Sequence, residues 1–253
     1  MKILIAVPTY KRPYVLEKRA WYFLKHIKNA DVKVFCDEDE EIYYEQVVGD
    51  NVVVGAKQGR PNGLIAQLNF IGKYAVDNGY DIVWKVDDKQ MMHKGGVRKK
   101  DIVPHIDQYL LNIIEEFKKG ADAIGTSKAM EYLHSEKGGY KPRYTPFSAS
   151  YFVKSEHLVL DEEIFSMDEL QMYLHLAVKG ATNVYTSYEM YIDCPMGKFD
   201  GGLQMFDRLA ESEKCLDYIM KKYPEIKPKY SNKGNIDIGN RLDFKYYRDL
   251  YKK

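Results

Sequence analysis

Val83-Trp84-Lys85-Val86-Asp87-Asp88-Lys89 is an apolar strand that ends in adjacent carboxylates, a common way to hold a metal or a phosphate. A second strand of the same kind, Ile3-Leu4-Ile5-Ala6-Val7, opens the chain, breaks at Pro8 and leads into a helical pattern. In open α/β sheets ligands bind outside the carboxyl ends of the strands, so two such ends can share one crevice.

Working outward, strand candidates at 2–7, 32–36, 52–54, 81–86 and 121–126 alternate with helical patterns. That order predicts an α/β fold with a largely parallel sheet covered by helices. Leu16, Ala20, Phe23, Leu24 and Ile27 recur at one-face helical spacing, and Leu64, Leu68, Ile71 and Ala75 do the same. The strongest stripe runs from Ile102 through Ile106, Tyr109, Leu110 and Ile113 to Phe117, and Gly120 closes it. Between Lys128 and Pro146 periodicity is lost and Gly138, Gly139, Pro142 and Pro146 gather, which predicts a long loop. A strand at 149–153, a helix at about 169–179, a strand near 183–191 and a long helix after Gly201-Gly202 follow. The last twenty or so residues read as an arm on the body or a flexible tail.

Composition narrows the function classes. A chain of 253 residues suits one compact domain, and 45% hydrophobic with 30% charged residues argues against disorder. A formal net charge of +1 argues against a uniformly basic nucleic-acid binder. Cys36, Cys194 and Cys215 lie far apart with no C-x-x-C spacing, against a zinc ribbon or disulfide framework and in keeping with a reducing cytoplasm. The N-terminal apolar run is too short for a signal peptide, and no stretch nears the ~18 apolar residues of a span, so no membrane partner is expected. The 22 tyrosines are scattered, as in packing rather than in a stacking platform.

Four strand ends carry notable groups: Pro8-Thr9-Tyr10-Lys11-Arg12-Pro13, Asp37-Glu38-Asp39-Glu40, Gly59-Arg60-Pro61-Asn62 and Asp87-Asp88-Lys89. Together they offer acids for a sugar or base and cations for phosphate. Ala6-Val7-Pro8-Thr9-Tyr10 with Arg12, the Arg60-Asn62-Gly63 helix entry and the acidic strand end resemble the GT-A glycosyltransferases over roughly residues 1–190. The large inverting family with many bacterial members is the best match, and Lys85-Val86-Asp87-Asp88 is also similar to the Lys-x-Asp-Asp-Asp of some galactosyltransferases.

The resemblance implies a Rossmann-like mixed sheet and transfer of a sugar from a nucleoside diphosphate sugar to a hydroxyl acceptor, with inversion. Residues 1–127 would form the donor half, 128–230 the acceptor and base half, and 231–253 a C-terminal arm. Pro8, Thr9 and Tyr10 would line the donor site, with Thr9 and Tyr10 bordering nucleobase and ribose, and Asp37 would accept a hydrogen bond from the base. Arg12 and Arg60 would face the diphosphate, a role suited to a planar, permanently charged fork, although each also reads as a surface charge. The acidic run at 37–41, taken alone, is a solvated turn.

The family's Asp-x-Asp ligates Mn²⁺ or Mg²⁺, and here its last position is Lys89. Either Asp88, with Asp87, takes the metal through a one-residue shift, or Lys89 itself neutralises the leaving diphosphate. No histidine follows His175, and Asp193 or Asp200 could supply a further oxygen ligand. Ser166-Met167-Asp168-Glu169 resembles the acidic pair that opens the base-bearing helix, with Asp168 at the position of the base and Glu169 beside it. The same residues also suit a helix N-cap. Ser148 and Ser150 would border the acceptor, Gly197-Lys198-Phe199-Asp200-Gly201-Gly202 reads as a phosphate or acceptor loop or a plain helix entry, and His93 as a phosphate contact or a solvated side chain.

Basic clusters at Arg98-Lys99-Lys100, Lys118-Lys119 and Lys221-Lys222 could steer a polyanion, and phage enzymes that glycosylate hydroxymethylated DNA bases share this architecture. Solvated helix ends explain them as well. Two other classes stay open. A sugar-nucleotide nucleotidyltransferase would carry a glycine-rich loop after the first strand, which Pro8-Thr9-Tyr10 lacks, and a GT-A domain without turnover is suggested by Lys89.

Overall fold

The structure is a computed structural model that describes residues 1–60, 62–133, 138–147, 150–164, 167–193, 208–228, 242–243 and 245–251. Ser148, Ser166, Cys194 and the 197–202 segment with Asp200 lie outside the described residues.

One mixed sheet organises the described residues. Its strands are β1 (Ile3–Pro8), β2 (Asp31–Cys36), β3 (Val52–Val54), β4 (Ile82–Lys85), β5 (Met91–His93), β6 (Ala123–Lys128), β7 (Tyr140–Pro142), β8 (Tyr151–Lys154) and β9 (Val184–Asp193). The order is β3-β2-β1-β4-β8-β6-β9-β5, with β7 also on β9. Strands β1 to β4 are mutually parallel, β6 and β9 are parallel, and β8 runs against both β4 and β6. Strands β1, β2, β3, β4, β6 and β9 therefore point one way, while β5 and β7 run against β9.

Helices cover both faces: α1 (Pro13–Lys18), α2 (Ala20–Leu24), α3 (Glu41–Val48), α4 (Gly63–Asp77), α5 (Val103–Lys118), α6 (Ala129–Leu133), α7 (Asp168–Val178), α8 (Arg208–Lys222) and α9 (Lys245–Leu250). Period-two alternation in β1 sorts the core. Leu4 and Ala6 join one cluster with α4 and α7, and Ile3, Ile5 and Val7 join the other with α1, α2 and α5. Both faces are covered, so β1 is buried at every position, as a central strand of a doubly covered sheet must be.

Four expectations need correction. The helix at 16–27 is two short helices, broken at Arg19 (φ −119°, ψ −94°), where the Ala20 amide donates to the Asp88 carbonyl at 3.2 Å. A tertiary hydrogen bond overrides the local pattern there. The acidic run at 37–41 is solvated only in part: Glu38 and Asp39 are exposed, whereas Asp37, which its place after a strand set apart, and Glu40 are buried, and the run feeds α3. The long loop after Lys128 contains α6 and β7, and His93 lies in β5, its ring stacked on Tyr191 of β9 at 5.2 Å. Near the C-terminus, Tyr251 packs on Tyr173 at 4.8 Å, so residues 245–251 are an arm seated on the body. Among the described residues no helix is long and apolar enough to cross a membrane.

Candidate active site

Strand parity places the key cation. In β4, Val83 faces the α4 and α7 cluster and Trp84 the opposite one, so Lys85 points toward α7. It is 1% exposed, and its Nζ lies 2.7 Å from Asp87 Oδ1, 3.0 Å from Asp168 Oδ2 and 3.9 Å from Glu169 Oε1. An ammonium has three hydrogens to donate, and three carboxylates surround this one. Tyr151, register partner of Lys85 on β8, donates its hydroxyl to Asp168 Oδ2 at 3.3 Å.

Burial alone would drive Lys85 toward neutrality, but Asp168, Asp87 and Glu169 hold it charged, with its pKa well above the usual lysine value. Burial likewise pushes Asp87 upward, and Lys85 and Lys89 outweigh it, leaving Asp87 below the ordinary carboxylate range. Glu169 goes the other way: burial, then the charge of Asp168, push it up to about 8, against the pull of Lys85. Asp168 opens α7 but does not cap it, since the N-cap is Met167 without a side-chain bond. Its carboxylate is turned to Lys85 instead.

Asp88 is wholly buried. Its Oδ2 accepts from the Thr9 hydroxyl at 2.8 Å and pairs with Arg12 Nε at 3.1 Å. Thr9 also shares a hydrogen with the Tyr44 hydroxyl at 2.9 Å, which accepts from the Arg12 amide at 3.0 Å. Burial keeps the Asp88 pKa above its ordinary value despite Arg12 and Thr9. The loop is clamped from outside as well, because Arg19 Nε donates to the Lys89 carbonyl at 2.7 Å and its Nη2 pairs with Asp193 at 2.8 Å.

The donor-side residues divide into fixed and open ones. The Asp37 carboxylate accepts the Gln58 amide at 2.8 and 2.9 Å, and Gln58 Nε2 reaches back to the Thr9 carbonyl at 2.7 Å. Asp37 thus ties the 58–60 loop to the end of β2 while the Gln58 side chain ties it to the end of β1, and a nucleobase would have to share Asp37. Gly59 permits this approach, since a Cβ there would sit 2.9 Å from the Tyr10 hydroxyl. Pro8 ends β1 in the core, and Tyr10 and Lys89 are half-buried. Glu40 accepts the Lys11 amide at 2.7 Å, and burial raises its pKa to about 7.

The structure therefore gathers Asp87, Asp168 and Glu169 around Lys85, and Thr9, Arg12 and Asp88 beside them. It engages Arg60 elsewhere: its guanidinium is half-exposed and pairs with Glu162 at 3.1 Å in the loop before α7, which Asn62 also holds through the Glu162 carbonyl at 2.8 Å. Ser150 is buried, accepting Trp84 Nε1 at 2.7 Å and donating to the Lys85 carbonyl at 2.6 Å, so it braces the sheet rather than facing an acceptor. The basic clusters have acidic neighbours: Arg98 with Asp101, Lys118 with Glu115, Lys119 with Glu116 and Lys222 with Asp161. Lys85 is the site residue that sequence reasoning passed over, although a cation flanked by Val83, Trp84 and Val86 was a readable signal.

Of the two readings left open for the acidic strand end, a Mn²⁺ or Mg²⁺ site does not fit these side chains. Hard divalent cations need several converging oxygens. Among the described residues no three His, Cys, Asp or Glu groups converge as a metal set. Asp87 is spent on Lys85, and Asp88 on Arg12 and Thr9. Asp88 Oδ1 is buried without a hydrogen-bond partner, and so is the adjacent Arg12 Nε, whose 3.1 Å approach to Asp88 Oδ2 is an ion pair; the nearest unmet need of that oxygen is a hydrogen the protein's own guanidinium carries.

No protein-family profile and no curated protein matches the sequence. Solved structures similar to it include A197 from STIV, at 12% identity and TM-score 0.41 over 76% of this chain and 84% of that one. TarS of S. aureus overlays at 15% identity and TM-score 0.47, covering 74% of this chain, which spans 35% of TarS. CMP:2-keto-3-deoxy-manno-octonic acid synthetase complexed with CTP overlays at 12% identity and TM-score 0.44 over 74% of this chain and 89% of that one. These are loose overlays.

Proposed function

We propose that the protein is an inverting GT-A-type glycosyltransferase that moves a sugar from a nucleoside diphosphate sugar to a hydroxyl acceptor. The observation that carries this reading is the meeting of the strand-end carboxylate Asp87 with the helix-start pair Asp168 and Glu169 around buried Lys85. Donor-side and base-side acids share one place, as a displacement at a sugar carbon needs.

The pair at the start of α7 divides its work. Asp168 is buried and held by Lys85 and Tyr151, so it positions. Glu169 is 27% exposed and holds its proton more tightly than an ordinary carboxylate, which makes it the better base. It takes the acceptor hydroxyl proton as the oxygen bonds to the anomeric carbon, and the bond from that carbon to the diphosphate oxygen breaks with its electron pair leaving on the nucleotide. Lys89, beside Asp87, is the cation for that leaving charge. The acceptor is assigned as a hydroxyl compound; Arg98, Lys118, Lys119 and Lys222 of the basic clusters are paired with acids, and the clusters give no reason to choose DNA.

Thermal unfolding with a panel of nucleoside diphosphates and nucleotide sugars tests the reading, because a ligand of the native state raises Tm. At least one nucleotide class is expected to stabilise the chain. A flat response across the panel contradicts the proposal.

A further inference from the structure

We infer that this site binds a diphosphate group without a divalent cation, with Lys85 and Arg12 neutralising the two strand-end carboxylates and Lys89 meeting the phosphate charge. The inference rests on the nucleotide-sugar reading above and adds to it how the leaving group is held.

Three observations carry it. First, the carboxylates that would ligate a metal already have cations of the protein's own: Lys85 Nζ at 2.7 Å from Asp87 and Arg12 Nε at 3.1 Å from Asp88. A divalent ion would have to displace a fully buried ammonium or a guanidinium, and it would then share the space with that cation. Second, the local charges are balanced before any metal arrives. Lys85, Arg12 and Lys89 stand against Asp87, Asp88, Asp168 and Glu169, and the one carboxylate in excess, Glu169, is the one that burial and Asp168 hold protonated up to about 8, whereas a metal-requiring acidic site carries a surplus of negative charge that only the ion offsets.

Third, Lys89 is placed as a phosphate ligand should be. Arg19 holds its carbonyl at 2.7 Å and the Ala20 amide holds the preceding carbonyl at 3.2 Å, so the backbone is fixed. Its half-buried side chain makes no ion pair among the described residues and lies close enough to Asp87 and Asp88 to act on both. A compact ammonium on a flexible stem binds phosphate as a point charge and needs no fixed coordination geometry.

Calorimetric titration of the full chain with UDP, GDP, ADP and CDP, once in chelator and once with Mn²⁺, provides the test. The best-bound nucleotide is expected to keep its Kd within about threefold between the two conditions, and Lys89→Met to weaken it about tenfold or more without lowering Tm. Lys89→Asp, which adds a third carboxylate after Asp87 and Asp88, is expected to lose binding in chelator. Wild-type binding that tightens about tenfold or more with Mn²⁺, or a Lys89→Met Kd equal to wild type, overturns the inference while leaving the nucleotide-sugar reading standing. Absence of binding under both conditions overturns the two together.

Discussion

The acidic pair at the end of β4 and the acidic pair at the start of α7 are built alike and charged differently. In each, one member is buried and fixed: Asp88 by Thr9 and Arg12, Asp168 by Lys85 and Tyr151. In each, the other is partly open, with Asp87 22% and Glu169 27% exposed. Yet Asp87 is driven below the ordinary carboxylate range by Lys85 and Lys89 against the effect of burial, while burial and Asp168 lift Glu169 to about 8. One buried lysine touches both pairs and leaves a lasting anion at one and a proton acceptor at the other. Neighbouring carboxylates with pKa values pushed apart are how one site separates its roles.

The comparison breaks most visibly in turnover. Glu169→Gln is expected to cut sugar transfer by about 10²–10⁴-fold while nucleotide Kd stays at the wild-type value. A mild Glu169→Gln beside a crippling Asp168→Asn would reverse the assignment within the pair. Lys85→Met comes next: it leaves three carboxylates without their shared cation and should cost about 3–5 kcal/mol in urea unfolding. A loss under about 1 kcal/mol would mean that the ammonium is not what joins the pairs.

Thr9→Val tests the fixed member of the first pair. It removes the hydroxyl from Asp88 and Tyr44, and denaturant unfolding should register about 1–3 kcal/mol. The smallest effect is a slope with pH. The folded chain keeps the Glu169 proton up to about 8, whereas the unfolded chain releases it near the ordinary glutamate value of 4.5. Stability therefore falls as pH rises through that window and levels off above it. Glu40, raised to about 7, adds a slope of the same sign. Glu169→Gln should match wild type near pH 4 and exceed it above pH 8, by on the order of 1 kcal/mol after solvent screening, or about 2–4 °C in Tm.

Much of this arrangement was legible in the sequence. Apolar strands with helices of one-face spacing between them gave β1 to β4, α4 and α5 nearly to the residue, most clearly at β1 and β4, where burial on both faces leaves unbroken apolar runs. The acidic strand end and the Asp168-Glu169 helix start were equally readable. The break at Arg19 was not, since it depends on hydrogen bonds to the loop at 88–89, far along the chain. The burial of Asp37 and Glu40 was hidden for the same reason: their partners are the Gln58 and Lys11 amides. Strand β5 is three residues long and held by β9, so it leaves no periodic signal. Lys85 was visible as a misplaced charge, and its two distant partners, Asp168 and Glu169, became visible only when α7 met β4.

The central claim is the opposed protonation of Asp87 and Glu169, and side-chain carboxyl ¹³C NMR across pH measures it directly. The account predicts a Glu169 resonance that titrates near 8 and an Asp87 resonance that stays ionised below the usual aspartate range. Two resonances that both titrate at their ordinary carboxylate values would contradict it.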